Sequence, residues 1–205
     1  MPPIPTITKN LMLACTAVFF LQLFVPLANW FALYPIGSGH FFPWQVVSYA
    51  FLHGGFGHLF FNMLGLWMFG SELERLWGPR RYWHFLLAGV LAAATAQILF
   101  TLLTGSRAPT VGASGALFAL LLAFGMLFPN RIIMPLFPPI PMKARTFVIL
   151  FGGIELLLGS GLLDTMLGSG GGNIAHFAHL GGMVGGFLMI RYWRGQPPFG
   201  SRKRR

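Results

Sequence analysis

The chain is poor in charge, in acid and in cysteine. Only 9% of its 205 residues are Asp, Glu, Lys or Arg, and just four of them are acidic. A soluble domain of this length needs far more charge to cover its surface, so a soluble helical protein is excluded. One cysteine, Cys15, rules out an intrachain disulfide and leaves the redox compartment unread. Period-two alternation is missing, which excludes a closed β-barrel. No repeat or low-complexity linker divides the chain, and it reads as one domain. No cleavable signal peptide stands out either: MPPIPTITKN, with Lys9, leads into the first of many apolar runs.

What is present is apolar. Hydrophobic residues make up 55% of the chain, and mean hydropathy is +0.68, a composition that belongs in lipid. A membrane helix needs about 20 apolar residues to cross about 30 Å of hydrocarbon. Six stretches come close: Leu11 to Leu27, His58 to Leu76, Tyr82 to Leu103, Ser114 to Phe128, Phe147 to Leu163 and Ile174 to Tyr192. The expected fold is therefore all-α, a six-span polytopic bundle.

The net charge of +10 and pI near 11.2 raise the question of nucleic acid. Placement answers it, because the basic residues lie between apolar runs or in the tail Arg202, Lys203, Arg204, Arg205, and form no basic stripe. Lys9 precedes the first stretch, Arg75, Arg80 and Arg81 follow the second, Arg131, Lys143 and Arg145 the fourth, and Arg191 onward the sixth. Basic residues collect in cytoplasmic loops, so both termini, 1–10 and 193–205, are expected in the cytoplasm. The opposite side carries Arg107 and the loops Ala28 to Gly57, Thr104 to Ala113 and Asp164 to Asn173.

Strongly polar side chains inside a bilayer are costly and mark function by default. His58, Asn62, Ser114 and His179 stand out. Counted from the cytoplasmic ends at 1.5 Å per residue, Asn62 lies about 18 Å deep, His58 about 24 Å, Ser114 about 22 Å and His179 about 18 Å. They share a layer. His58 and Asn62, four apart in GHLFFNMLG, present one polar face; interhelical hydrogen bonding alone accounts for such a face equally well.

Ser114 lies in VGASGALFAL between Gly112 and Gly115. Small residues around a membrane serine usually mean close helix packing. A serine at a helix N-terminus, however, sits where free N–H groups and the dipole stabilise an oxyanion. The short apolar run from Ser114 also requires 104–113 to dip into the membrane, where irregular backbone is tolerated only around a protein-lined or watery cavity. In IAHFAHLGGMVGGF, His179 shares a face with Gly182 and Gly186, a surface for close approach of the serine helix. Contact would let the imidazole take the Ser114 proton and later give it to a leaving amine.

No Asp or Glu near His179 in sequence orients it. The expectation is a dyad oriented by packing against Phe118, one turn after Ser114. His176 shares the His179 face, but HExxH, a carboxylate ligand and a cysteine cluster are missing, so no metal is expected. His53, His40 and His84 fall at or near membrane edges, where histidine is ordinary. Glu155, about 15 Å in from Arg145 by helix rise, reads either as part of a proton pathway or as a packing residue.

In FFPWQ with Trp44, FLHGGFGHLFFN with His58 and Asn62, GSELERLWG with Glu74 and Arg75, GASG with Ser114 and AHLGGMVGG with His179, the chain resembles the rhomboid proteases from Trp44 to Gly186. The resemblance implies a six-helix core, cleavage of peptide bonds in or near transmembrane segments of other proteins, and no cofactor. It also implies an oxyanion hole from the Ser114 N–H with His58 and Asn62. Two departures stand out. Gln45 follows Trp44 where the family commonly has arginine, and Phe118 stands where a tyrosine is often found. The expected roles are Ser114 as nucleophile, His179 as base and acid, His58, Asn62 and the Ser114 amide at the oxyanion, and Gly112 allowing close approach of substrate. Gly115, Phe118, Gly182 and Gly186 would support them. The rivals are a proton-linked transporter using Glu155, His58 and His179, and an inactive relative that binds membrane helices. Expected partners are transmembrane protein substrates and the bilayer, without nucleic acid. The expected location is a bacterial plasma membrane, with the site open to the non-cytoplasmic side.

Overall fold

A computed structural model describes residues 2–136, 138–160 and 176–199. The loop expected from Asp164 to Asn173, the outer ends of the last two apolar stretches and the basic tail lie outside these residues. What is described is mostly helical. Helices α1 (Thr6–Gln22), α4 (Phe56–Gly65), α5 (Ser71–Thr104), α6 (Ser114–Leu127), α7 (Ala144–Gly159) and α8 (His176–Trp193) fall on the six apolar stretches. Two short helices, α2 (Ala28–Phe31) and α3 (Gln45–Ser48), occupy the loop after α1. Against the all-helical expectation, Ile132–Ile133 and Met142–Lys143 pair as a two-residue antiparallel ladder.

Among the described residues, one continuous helical run is long and apolar enough to cross a membrane, Phe56–Thr104; Thr6–Gln22 and Ser114–Leu127 are shorter apolar helices. That run is two helices. It passes through a π-helical turn at Leu66–Gly70 and breaks at Gly78, whose φ of 75° and ψ of 163° are not helical. Pro79 then opens the next segment, where its missing N–H costs nothing. In α8, two histidines, four glycines and Arg191 dilute the apolar character that its length would otherwise show.

Helix α1 starts at Thr6, five residues before the apolar run suggests, so Lys9 sits in its first turn. The reason is tertiary. Glu74 is buried at 4% exposure and accepts from Ile7 N–H (2.9 Å), Thr8 N–H (2.7 Å) and the Thr8 hydroxyl (2.8 Å). A carboxylate thus caps the helix from outside, where the dipole favours negative charge. Thr8 also bonds the Tyr82 hydroxyl, which sits close enough to Gly70 that a Cβ there would lie 2.4 Å from it. Arg75 reaches the Pro3 carbonyl at 2.9 Å. Glu74→Gln is expected to lower stability by about 1.5–3 kcal/mol, the range for hydrogen bonds to a charged group. Thermal unfolding in detergent checks it; an unchanged midpoint would sink the capping role.

The core beside α1 is built by Leu66, Leu73, Tyr82, Phe85, Ala119 and Leu120. Helix α8 enters it through two glycine stripes. Gly181 and Gly185 face Ala88, Ala92 and Ala96 of α5, while Gly182 and Gly186 face Gly115 and Ala119 of α6. Only the second stripe is anticipated from the sequence, yet the paired glycines of GGMVGG let one helix approach two neighbours at backbone distance.

Candidate active site

Ser114 is the first residue of α6, with Ala113 as N-cap. The irregular segment before it is pinned to the loop after α1. Thr110 and Leu33 exchange two backbone hydrogen bonds of 2.9 Å, and Gly112 N–H donates to the Tyr49 carbonyl at 2.9 Å. Gly112 has φ of 122°, a region L side chains rarely adopt, and a Cβ there would lie 2.6 Å from Cε1 and Nε2 of His58. The space beside Gly112 is therefore filled by the His58 ring, and the positive φ and this contact both call for glycine.

Across from Ser114, α8 brings His179 to hydrogen-bond distance: Nε2 lies 2.7 Å from the Ser114 hydroxyl oxygen. The glycines set this approach. A Cβ on Gly182 would lie 1.9 Å from the Gly115 carbonyl oxygen, and one on Gly115 would lie 2.4 Å from Ala93 Cβ. Phe118, one turn after Ser114, stacks on the His179 ring with centroids 4.3 Å apart and planes 10° apart, as the sequence suggests. The missing tyrosine hydroxyl does not affect that stacking. An imidazole so placed can accept the hydroxyl proton as the oxygen attacks an electrophile.

The polar pair on α4 behaves unequally. His58 reaches the site through Gly112, with Nδ1 facing the Gly54 N–H at 3.4 Å. Asn62 is buried, and its amide donates to the His58 carbonyl at 3.0 Å. Behind them lies His53, buried at 2% exposure instead of sitting at a solvated edge. Its N–H donates to the Gln22 side chain at 3.0 Å, and its ring meets His58 edge-on at 5.1 Å. Burial, followed by the neighbouring His58, pushes the His53 pKa down to about 4, so at neutral pH the two rings do not meet as cations.

The loop carrying Trp44 is held by Gln45 in place of a guanidinium. Fully buried, Gln45 accepts from Tyr34 N–H (3.2 Å) and donates to the carbonyls of Trp30 (3.2 Å) and His40 (3.0 Å). Trp44 stacks on Phe42 with centroids 4.6 Å apart. The amide thus supplies a loop tie that the sequence comparison alone leaves in doubt.

Sequence reasoning joined Glu155 to His179 only in the transporter rival, not as its carboxylate neighbour. The expectation of no carboxylate beside His179 holds along the chain but not in space. Glu155 Oε2 lies 2.6 Å from Nδ1 of His176 and 2.8 Å from Nδ1 of His179. Depth along the helices was the available signal, since Glu155 and His179 fall at about 15 and 18 Å by helix rise. Each of the three residues offers one donor atom to a metal, all within 4.8 Å of one another. Ligands about 2.0–2.1 Å from a tetrahedral zinc would stand about 3.3 Å apart. Glu155 stands closer than that to both histidines, and its contact with His176 is a hydrogen bond.

The Rhomboid domain family model matches residues 40–195. The chain is similar to the rhomboid protease GluP of Bacillus subtilis, 31% identical over 146 residues, covering 71% of this chain and 25% of that protein. It is also similar to the mitochondrial rhomboid protein 1 of Saccharomyces cerevisiae, 30% identical over 148 residues, covering 70% and 40%. The rhomboid protease GlpG of Yersinia pestis is 28% identical over 194 residues, covering 91% and 62%. The chain spans less than two thirds of the length of each of these relatives.

Proposed function

The chain belongs to the rhomboid family of membrane proteins, and from that membership we propose that it is an intramembrane serine endopeptidase that cuts peptide bonds in or near transmembrane segments of other proteins. The observation that carries this reading is the 2.7 Å contact between His179 Nε2 and the Ser114 hydroxyl oxygen. Ser114 attacks the scissile carbonyl while its proton passes to Nε2. The tetrahedral intermediate collapses as the imidazolium protonates the leaving amine, and a water deprotonated by the same nitrogen then hydrolyses the acyl-enzyme. Ser114 N–H at the start of α6, with the His58 ring and the Asn62 amide, stabilises the oxyanion. One N–H of the Asn62 amide is held by the His58 carbonyl, and the other is the donor for that role.

The helical segments on the six apolar stretches act as six spans of a single domain, with both termini cytoplasmic and the site open to the other face. A bacterial inner membrane fits the GluP and GlpG relatives. A serine-directed covalent probe, such as a fluorophosphonate, tests the nucleophile directly. Mass spectrometry should find the adduct on Ser114, and a folded protein labelled elsewhere or not at all would refute the reading. Loss of one oxyanion donor typically costs about 10²–10³ in kcat. His58→Ala and Asn62→Ala are each expected to fall in that range with KM little changed, measured on a single-span substrate in proteoliposomes. A change confined to KM would assign these residues to ground-state binding.

A further inference from the structure

Both ring nitrogens of His179 have a close polar neighbour. Nε2 faces Ser114, the ring plane lies on Phe118, and Nδ1 lies 2.8 Å from Oε2 of Glu155 on α7. The same oxygen is hydrogen-bonded to Nδ1 of His176 at 2.6 Å. The approach to His179 is close but bent away from the N–H direction, so of the two contacts only that of His176 has hydrogen-bond geometry. Such contacts commonly straighten when substrate closes a site. Glu155 is one of four acids in the chain, and its side chain is 12% exposed. An ionisable group at that depth needs partners. The two imidazoles supply them.

We propose that Glu155, held by His176, is a positioning residue for His179, so that the site works as a Ser114–His179–Glu155 triad. This inference rests on the serine protease reading above. The carboxylate accepts from Nδ1–H and thereby fixes the tautomer that leaves the Nε2 lone pair facing Ser114. When the Oγ–C bond forms and the hydroxyl proton moves to Nε2, the ring becomes a cation in a medium that solvates charge poorly. Glu155 then faces that cation across a hydrogen bond without taking its proton, and Nε2–H passes to the leaving nitrogen as the C–N bond breaks. His176 holds the carboxylate from the other side. Among the described residues, the titratable groups around His179 are Ser114 on α6, Glu155 on α7, His58 on α4 and His176 on its own helix.

The test uses the full chain in proteoliposomes with a single-span substrate and compares wild type with Glu155→Gln, Glu155→Asp, His176→Asn and Ser114→Ala. Glu155→Gln should lower kcat by about 10²–10⁴-fold, the range for losing the carboxylate partner of a catalytic histidine, with KM within about twofold. Its acid limb in the pH profile of kcat/KM should move to lower pH, because the imidazole has lost the anion that favours its charged form. Glu155→Asp should recover part of the rate, and His176→Asn should lose less than Glu155→Gln. A merely structural role would leave the pH limb unmoved. Thermal unfolding and probe labelling of Ser114 show whether each variant is folded; if Glu155→Gln is not, the Asp and His176 variants decide the proposal by the same limb.

A Glu155→Gln enzyme with wild-type kcat and pH limb, alongside a silent Ser114→Ala, would overturn the triad and leave the serine mechanism standing. Cleavage by Ser114→Ala would overturn the mechanism itself. Inactivation of wild type by a chelator, reversed by zinc, would overturn the triad in favour of a metal on the same three side chains.

Discussion

Ser114→Ala is expected to abolish cleavage of a single-span substrate, with a loss of about 10⁴-fold or more in kcat, as when a serine nucleophile is removed from a protein that otherwise stays folded. The substitution deletes one hydroxyl at the first position of α6, between Ala113 and Gly115, and leaves the Gly115–Gly182 contact untouched. Folding should survive it. His179→Ala should be equally silent, although it also removes the ring under Phe118 and the neighbour of Glu155. Because the two act as one unit, the double variant should be no worse than either single one. The measurement is initial cleavage rate in proteoliposomes, with thermal unfolding alongside. Turnover that persists in both variants at wild-type level would remove the serine mechanism.

The second large effect needs no chemistry at the altered position. Gly182→Ala puts a Cβ 1.9 Å from the Gly115 carbonyl oxygen and 2.7 Å from its carbonyl carbon. Both atoms are backbone, so no side chain can swing aside and the helices must part. Overpacking of this kind typically costs up to about 3 kcal/mol, and a rigid backbone contact belongs at the upper end. A displacement of about 1 Å between reacting groups costs about 10²-fold in rate, and Gly182 is three residues from His179. Gly182→Ala is therefore expected to lower both the unfolding midpoint and kcat. Gly153→Ala, where nothing lies within 4 Å of the added Cβ, is the control and should lower neither. Equal behaviour of the two variants would show that the α6–α8 approach does not set the site.

Much of this arrangement is legible in the residues. Apolar runs of helical length place the start of α4, the break at Gly78, the end of α5 and both ends of α6 within a few residues of where they fall, because burial against lipid or protein demands continuous apolar surface wherever the chain lies. Gly78 followed by Pro79 marks the break between two helices by local sterics alone. Ser114 among small residues and His179 above Gly182 are readable as two surfaces able to meet. Depth along each helix even puts them in one layer.

What could not be read depends on how each helix is turned about its axis. The early start of α1 is decided by Glu74, which lies 66 positions from Thr8, and no local signal in TITKN foretells an external cap. Gln45 reads as the loss of an arginine until the loop closes around it and three partners take up its amide. Glu155 reads as part of a proton pathway or as a packing residue, although its helix rise already sets it near the depth of His179.

Composition and periodicity thus determined that this chain is a helical membrane protein, because hydropathy and helix rise act locally. The rotation of α7 and α8 decided that Glu155 stands at Nδ1 of His179 while Ser114 stands at Nε2. The rotation of α8 follows from close contacts at Gly181, Gly182, Gly185 and Gly186 with α5 and α6, which exist only once neighbouring helices are in place.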